Sequence, residues 1–478
     1  MTVSHRETRS PLGEGALSTI LHLAPIPVTP TKPLTPSHVK GLLWLDVLER
    51  ATRLVRPVHY QANRTTYDIT WQTLEFWDWL DCSFGSASED VSDLDEISLG
   101  HRYVAYHLQR GEHRLRAKYL VGCDGGVSTV RKTLGIPLEG RGRIRKIHQT
   151  FFRSERLYRA IPCGRGRHYY FAEGAIVVQD DLRHFMLNFY NWQEGQDAKA
   201  RLHELFGLDV DIEVLNEADW HHNLLVAERY RDRRVFIAGD AAHLVIPQGA
   251  LGMNTGAGDA TDLAWKLAAT LAGWGGPRLL DAYEDERREI GLRNRQASSD
   301  AAASVARWRA AITDDFRAPT PAGEAARRAV AELAIVNQPI SHELHGIELG
   351  YRYTQSPLIA LEDSGEDSGV RYYRPTATPG ARLPHLWRAD GTAVHDALGG
   401  GFTLLGVAAA PDAATADAWI AAMRRISAPI EVVRMPEAHL RRHYGANWLL
   451  VRPDLHVAWR GDRIPDSVDA LVANVTGH

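Results

Sequence analysis

Residues 234–274, RVFIAGDAAHLVIPQGALGMNTGAGDATDLAWKLAATLAGW, hold the densest set of chemically capable positions in the chain. An apolar run ending in Gly239-Asp240 brings a carboxylate to the carboxyl edge of a parallel sheet, where it can accept hydrogen bonds from ligand hydroxyls or from a loop backbone. Past Pro247, glycines at 249, 252, 256 and 258 let backbone N–H groups come close to a flat ligand. The helix opening at Gly252-Met253-Asn254 turns its positive end toward that ligand, which favours an anion. A glycine-rich loop between a strand and a helix would also serve as a plain tight turn.

A second constellation lies upstream, in YLVGCDGGVSTVRKTLGI at 119–136. Asp124 and Gly125 close an apolar strand, and Ser128 and Arg131 follow where a helix begins. Read from the residues alone, this Asp-Gly-Gly turn suits a helix cap with Arg131 solvated on an exposed face. Cys123 has no base beside it in sequence and reads as a small buried hydrophobe. His243 is either a proton relay or a partner of the loop. His221-His222 has no third ligand at metal spacing, and HExxH and CxxC are absent, so no metal site is expected. No catalytic residue is assigned.

These positions need elements to carry them. Residues 115–140 read as strand, glycine turn and helix, and 231–300 as a second buried strand, loop and helix, together one doubly wound unit. Between them, 141–230 carries short alternating runs, HYYF, AIVVQ and FMLNFY, with Asp180-Asp181 as a tight turn. That pattern is an inserted antiparallel sheet. Tyr169, Tyr170, Phe185 and Phe189 are candidates to line a pocket on it, about half of them core because strand aromatics alternate faces. The charged stretch 279–312 reads as a surface helix or helix pair leading away from the sheet, within a helical connection that occupies 301–374. PTATPGARLPH, with Pro375, Pro379 and Pro384, reads as a linker into an independent unit at 380–478 of order βαβ then ββα, the thioredoxin order. The fold class is therefore α/β, α+β overall.

Residues 1–114 are the least interpretable, because runs at 42–45 and 71–80 are apolar without a sustained period. Gly13-Glu14-Gly15 follows Arg9-Ser10-Pro11-Leu12 rather than an apolar strand, and Ser18 stands where a third glycine would, so no GxGxxG fingerprint is recognisable. This part is expected to be truncated or mistranslated, degenerate, or unusually folded, and to pack poorly on the parallel sheet.

The segment GDAAHLVIPQGALGMNTGAGDATDLAWKLA resembles the second flavin signature of the single-component FAD-dependent aromatic hydroxylases, and 119–136 resembles their DG motif. LGYRYTQSPLI, PGARLPHLW, GGFTLL and YGANWLLVRPDLHVAWRG resemble the thioredoxin-like tail of the phenol hydroxylase branch. The resemblance covers roughly 115–478. It implies an FAD-binding doubly wound domain in the p-hydroxybenzoate hydroxylase fold, an antiparallel-sheet substrate domain and a thioredoxin-like tail. It further implies that Gly239 and Asp240 meet the ribose or ribitol of FAD, that Pro247, Gly249, Gly252, Met253 and Asn254 lie along the isoalloxazine, and that Asp124, Gly125 and Arg131 face the pyrophosphate. The implied reaction is hydroxylation of a phenolic or polyketide-like aromatic ring with NAD(P)H and O2.

Composition fits that reading. The chain has 478 residues, 44% hydrophobic and 24% charged, with 55 Lys+Arg against 59 Asp+Glu. A net charge of −4 offers no global attraction for nucleic acid or an anionic membrane. No apolar run approaches the ~20 residues of a membrane span. Three scattered cysteines, Cys82, Cys123 and Cys163, suit a reducing cytoplasm, and none lies in the tail to support dithiol exchange. The tail's expected role is structural or at a homodimer interface. Two rivals stand beside the hydroxylase. One is a non-catalytic remnant acting as a binding or dimerising module, which the missing fingerprint favours. The other is a flavin-dependent halogenase, which the absence of a WxWxIP segment disfavours.

Overall fold

The computed structural model describes the backbone of 21–24 and 58–60, and residues 117–478 apart from 162–163, 180–181, 207–209, 363–368, 408–412 and 464. Gly13-Glu14-Gly15, Cys82, Cys163, the Asp180-Asp181 turn and the apolar runs at 42–45 and 71–80 lie outside the described residues.

The first sheet contains β1 (Leu21–Ala24), β2 (Val58–Tyr60) and β3 (Tyr119–Gly122). Parallel pairing joins β2 to β1 and β1 to β3. Leu21–Ala24 thus registers residue for residue on Tyr119–Gly122, and the packing of the rest of the first hundred residues lies outside the described residues. The chain then passes through α1 (Thr129–Thr133) into the second sheet, built from β4 (Leu138–Arg153), β5 (His168–Phe171), β6 (Gly174–Val178), β7 (His184–Phe189) and β8 (Glu213–Ala227). It returns to the first sheet through the short β9 (Arg231–Asp232) and β10 (Val235–Ile237), and β10 lies parallel to β3. The sheet order is β2-β1-β3-β10-β9, an open α/β arrangement whose ligand edge lies at the carboxyl ends of β3 and β10.

The antiparallel insert has the order β11-β8-β4-β7-β6-β5, where β11 (His243–Leu244) is the stretch just past the Gly239-Asp240 turn. The short runs HYYF, AIVVQ and FMLNFY are β5, β6 and β7, while the two longest strands, β4 and β8 with 16 and 15 residues, were not read from the pattern. Their near halves, GRGRIRK and WHHNLL, are polar enough to hide the strand period.

Two helices follow. In α2 (Leu251–Ala272), Leu263 and Leu267 pack on Val121, Phe236 and Ile237 to make the main core. Next, α3 (Ala282–Arg309) is one helix of 28 residues, and it does not lead away from the sheet. Tyr283, Glu286, Arg287 and Ile290 are all buried, and the helix packs on α2, on β8 and on α4 (Pro321–His342). Two of the charges that suggested an exposed helix, Glu286 and Arg287, are partnered inside the protein.

The tail runs β12 (Phe402–Gly406), α5 (Ala413–Arg425), β13 (Ile430–Arg434), β14 (Trp448–Val451), β15 (Val457–Gly461) and α6 (Val468–Val475). β12 is parallel to β13 and antiparallel to β14, so the βαβ then ββα order is present. Its independence is not. Phe402, Leu404, Trp419 and Trp448 share one core with Trp265, Trp274, Leu279 and Ala282 of the main body. The proline-rich stretch turns at Pro379-Gly380, with Gly380 at φ +93°, yet Ala377, Ala381 and Leu383 are buried and the Gly380 and Leu383 amides donate to Val457 and Leu455. It is a strap bound to the tail sheet, not a linker. Beneath it, Lys266 of α2 donates to Asp262 and Glu286 at 2.7 Å each, and Arg452 of the tail joins the same carboxylates.

Candidate functional site

The strand β10 ends in a one-turn 3-10 helix, Gly239–Ala241, with Gly239 and Ala241 buried and Asp240 exposed at the sheet edge. Room for this turn comes from α2. A Cβ on Gly256 would sit 3.0 Å from the Gly239 Cα, so only glycine lets the helix approach the turn so closely. Past β11 the loop exposes Pro247, takes Gly249 at φ +86° and enters α2 through Ala250, also left-handed. No side chain caps this helix. The first amides, at Leu251, Gly252 and Met253, therefore face the loop as unpaired donors on the positive end of a 22-residue helix. Asn254 is exposed and its amide donates to Ala250 O, stiffening the entry.

Asp259, one turn further along α2, holds the loop from beneath. Fully buried, it accepts from Gly239 N at 3.0 Å, from the Nε2 side of His243 at 2.9 Å and from Arg287 Nε at 2.9 Å. Burial would raise its pKa, but the His243 ring and the Arg287 guanidinium hold it below the usual carboxylate range. His243 thus pairs with the α2 carboxylate that holds the loop, not with the loop itself. Its buried Nδ1 has no hydrogen-bond partner within the protein.

The upstream turn is built by its own helix. Asp124 Oδ2 accepts from the Thr129 and Val130 amides at 2.7 and 3.0 Å, Oδ1 accepts from Ser128 Oγ, and Ser128 in turn caps Arg131 N. The Asp124 carboxylate is committed to these donors. Arg131 is buried, not solvated, and its Nη1 donates to Ala241 O at 3.0 Å and to Gly126 O at 3.3 Å. That single side chain brings the two sequence motifs together across the sheet edge, with Gly125 at φ +78° between them. Cys123 is buried beneath, where burial and then the charges of Asp259 and Asp124 push its thiol up to about 12, which removes it as a nucleophile.

A cavity of about 440 Å³ opens on the other side of the loop. Ile246 and Gln248 form one end, β4 and β8 one wall through Arg145 and His222, and the alanines of the last turns of α3 the opposite wall. Ser298 Oγ donates to Ile246 O at 2.7 Å and locks that helix to the loop. Of the aromatics expected here, Tyr169, Phe185 and Phe189 belong to the core of the insert, and Tyr170 packs on Trp308 and Arg309. Tyr190 lines the cavity in their place. The spacing of Ala302, Ala303, Ala306 and Ala310 was the available signal, since a helix carrying small residues on one face leaves space beside it. His221-His222 gains a meaning other than metal binding, because His222 faces this space.

Among the described residues the carboxylates of Asp262, Glu286 and Asp454 lie close enough to share an ion, but Lys266 and Arg452 already occupy them. No described helix is long and apolar enough to cross a membrane.

Comparison with known proteins agrees with this geometry. The family described as FAD binding domain matches residues 90–175 and 185–298, beginning 25 residues before the span read from motifs, and the family described as aromatic-ring hydroxylase, C-terminal, matches 376–478. The FAD-dependent monooxygenase apdD of Emericella nidulans is 32% identical over 431 residues, covering 81% of this chain and 67% of the relative. Among solved structures, native and K252c-bound RebC-10x superposes with a TM-score of 0.70 at 34% identity over 77% of this chain and 71% of that one. The ternary complex of aklavinone-11 hydroxylase with FAD and aklavinone superposes with a TM-score of 0.60 at 28% identity, covering 77% and 69%.

Proposed function

This chain belongs to the FAD-dependent aromatic-ring hydroxylases, a family of flavoprotein monooxygenases, and on that premise we propose that it hydroxylates a phenolic or polyketide-like aromatic compound with NAD(P)H and O2. One observation carries the proposal: the uncapped start of α2 and the 440 Å³ cavity share the loop at Ile246–Gln248, so a flat cofactor at the helix end would meet a ligand in the cavity.

The residues present fit the isoalloxazine half of FAD. The left-handed bend at Gly249 and the close approach of Gly256 to Gly239 set the shape of the loop, and the free amides at 251–253 favour the electron-rich edge of the ring. Asp240, at the sheet edge, would accept from a ribityl or ribose hydroxyl. Asp124, Gly125 and Arg131 would shape the pyrophosphate side, Arg131 by fixing the turn at Ala241. When bound, the cofactor takes electrons from NAD(P)H and activates O2. What the chain contributes is orientation and a dry, apolar wall. Ala303 and Ala306 hold the substrate ring flat against α3, and Gln248 Oε1, buried without a protein partner, accepts from a substrate hydroxyl.

The test is oxygen incorporation. The FAD-loaded chain, supplied with NADPH, isotopically labelled O2 and a panel of polyketide-derived phenols, should place one labelled oxygen in an aromatic product. NADPH oxidation that no member of the panel stimulates, with no labelled product, would favour the second reading, a binding module. The sequence after β1, Pro25-Ile26-Pro27, supports that rival, because it lacks the glycines that hold the adenine half.

A further inference from the structure

We propose that Tyr353 is a positioning residue for the flavin loop, acting on it through Arg287 and Asp259, and that the tail holds Tyr353 in place. The inference rests on the reading of the loop at 239–253 as the flavin site. It gives a role to a tail that has no cysteine for dithiol exchange, and to the segment LGYRYTQSPLI at 349–359, which neither the loop nor the cavity uses.

Every link of the path is a buried contact. Arg287, on α3, donates from Nε to Asp259 Oδ1 at 2.9 Å, from Nη2 to Thr255 O at 3.0 Å and from Nη1 to Tyr353 Oη at 3.1 Å. The other oxygen of Asp259 meets Gly239 N and His243 Nε2. Asp259 therefore has one oxygen on the loop side and one on Arg287, whose far nitrogen ends on Tyr353. Tyr353, Arg287, Asp259 and His243 are each at most 1% exposed, so water does not replace a partner that is lost. Room for the guanidinium comes from Gly258 of α2, where a Cβ would sit 2.5 Å from Arg287 Nη2 and 2.9 Å from its Cζ. This glycine serves Arg287 and not the cofactor.

Tyr353 is fixed from the tail side. Its amide donates to Gly380 O at 3.0 Å, Arg352 bridges to Ala381, and Arg382 bridges in turn to His456. Its ring stacks on His456, with centroids 4.4 Å apart and planes at 29°, and the Arg452 guanidinium carbon lies 5.4 Å from the ring centre. Burial, and then Tyr351, hold its phenol well above the usual range, so it stays a neutral acceptor for Arg287. A ring held at its backbone and on one face presents its hydroxyl at a fixed point, and a supporting group must be fixed before it can fix the groups that meet a ligand. The turn at 452–456, between β14 and β15, thus reaches Gly239 through three side chains.

The test uses the full chain, first without cofactor and then with FAD. Tyr353→Phe removes one hydroxyl and keeps the ring stack, and Gly258→Ala drives the guanidinium off α2. In both variants hydrogen exchange in the peptide 238–250 should speed up by about threefold or more, with β6 and β7 unchanged, and FAD should bind more weakly by a similar factor, the worth of one hydrogen bond. The midpoint potential of the bound flavin should move to more negative values, because the amides at 251–253 are then less well aimed at the reduced ring. Added to Asp259→Asn, which cuts the path at its centre, Tyr353→Phe should have less than half of the effect it has alone. Exchange at 238–250 that stays at the wild-type rate in Tyr353→Phe overturns the proposal, as does faster exchange spread evenly over the body, or an unchanged FAD affinity and potential. If exchange responds as expected but the wild type binds no FAD, Tyr353 positions the loop and the reading of that loop as the flavin site fails. Thermal melts identify any variant that has not folded.

Discussion

Arg452, in the tail, meets Glu286 of α3 through two parallel bonds, Nη1 to Oε1 at 2.7 Å and Nη2 to Oε2 at 2.9 Å, with both side chains wholly buried. The tail is thereby fastened to the body by charge as well as by the shared tryptophan core. Removing one partner of such a pair leaves an uncompensated charge in the interior, which costs about 3–5 kcal/mol. Glu286→Ala should therefore lower the denaturation midpoint sharply, while a surface substitution such as Glu324→Ala should not move it. Urea titration of the two variants compares them directly.

The same cluster makes a pH prediction. Asp262, Glu286 and Asp454 face Lys266 and Arg452, three carboxylates to two cations. Burial, with the charges of Glu286 and Asp454, pushes Asp262 well above the carboxylate range, whereas Arg452 holds Glu286 and Asp454 below it despite their burial. A raised folded pKa means stability that is full below ~4 and declines as pH rises toward the folded value. A lowered one means stability present above ~4 and lost as pH falls. Asp262→Asn should accordingly keep or gain stability at neutral pH and flatten the decline on the alkaline side, and Glu286→Gln should lose stability at neutral pH and flatten the acid limb. Melting temperatures across the pH range check both signs.

Deleting 380–478 should not leave a folded body. It would bare Trp265 and Trp274 and strand the buried Lys266, Asp262 and Glu286 without Arg452. We expect a truncated chain that aggregates or melts without cooperativity, as followed by calorimetry and sedimentation. A soluble truncation with an unchanged melting transition would contradict the shared core.

Gly249→Ala should be costly for its size. The position sits at φ +86°, and a Cβ would come within 2.6 Å of Leu344 Cδ1. Left-handed backbone costs a non-glycine residue ~1–2 kcal/mol, so the apoprotein's unfolding free energy should fall by at least that amount and FAD retention should fall with it. Gly400→Ala, at an exposed position where an added Cβ meets nothing, serves as the control.

The parts legible in the sequence were those where local pattern and burial agree. β3, β10 and the loop into α2 announce themselves because strands buried on both faces read as continuous apolar runs and glycines mark the close approaches. Where partners lie far apart in the chain, the sequence misleads. Glu286 and Arg287 count as surface charge until Lys266, Arg452 and Asp259 are seen beside them. Pro379 reads as linker until the neighbouring amides are found bonded to Val457 and Leu455. The cavity draws Arg145, His222 and Arg309 from three separate elements, and no spacing links them. Asp124 shows the opposite case, since its helix-capping bonds are local and the alternative reading of that turn already named them.

The most direct measurement is a titration of the purified full chain with FAD, followed by quenching of flavin fluorescence and repeated with Asp240→Ala. The account predicts saturable binding by the wild type and at least tenfold weaker binding by the variant, one charge-assisted bond being worth about 1.5–3 kcal/mol, with apoprotein melts that coincide. Flavin fluorescence unchanged at every protein concentration, or equal affinity in the two proteins, would contradict it.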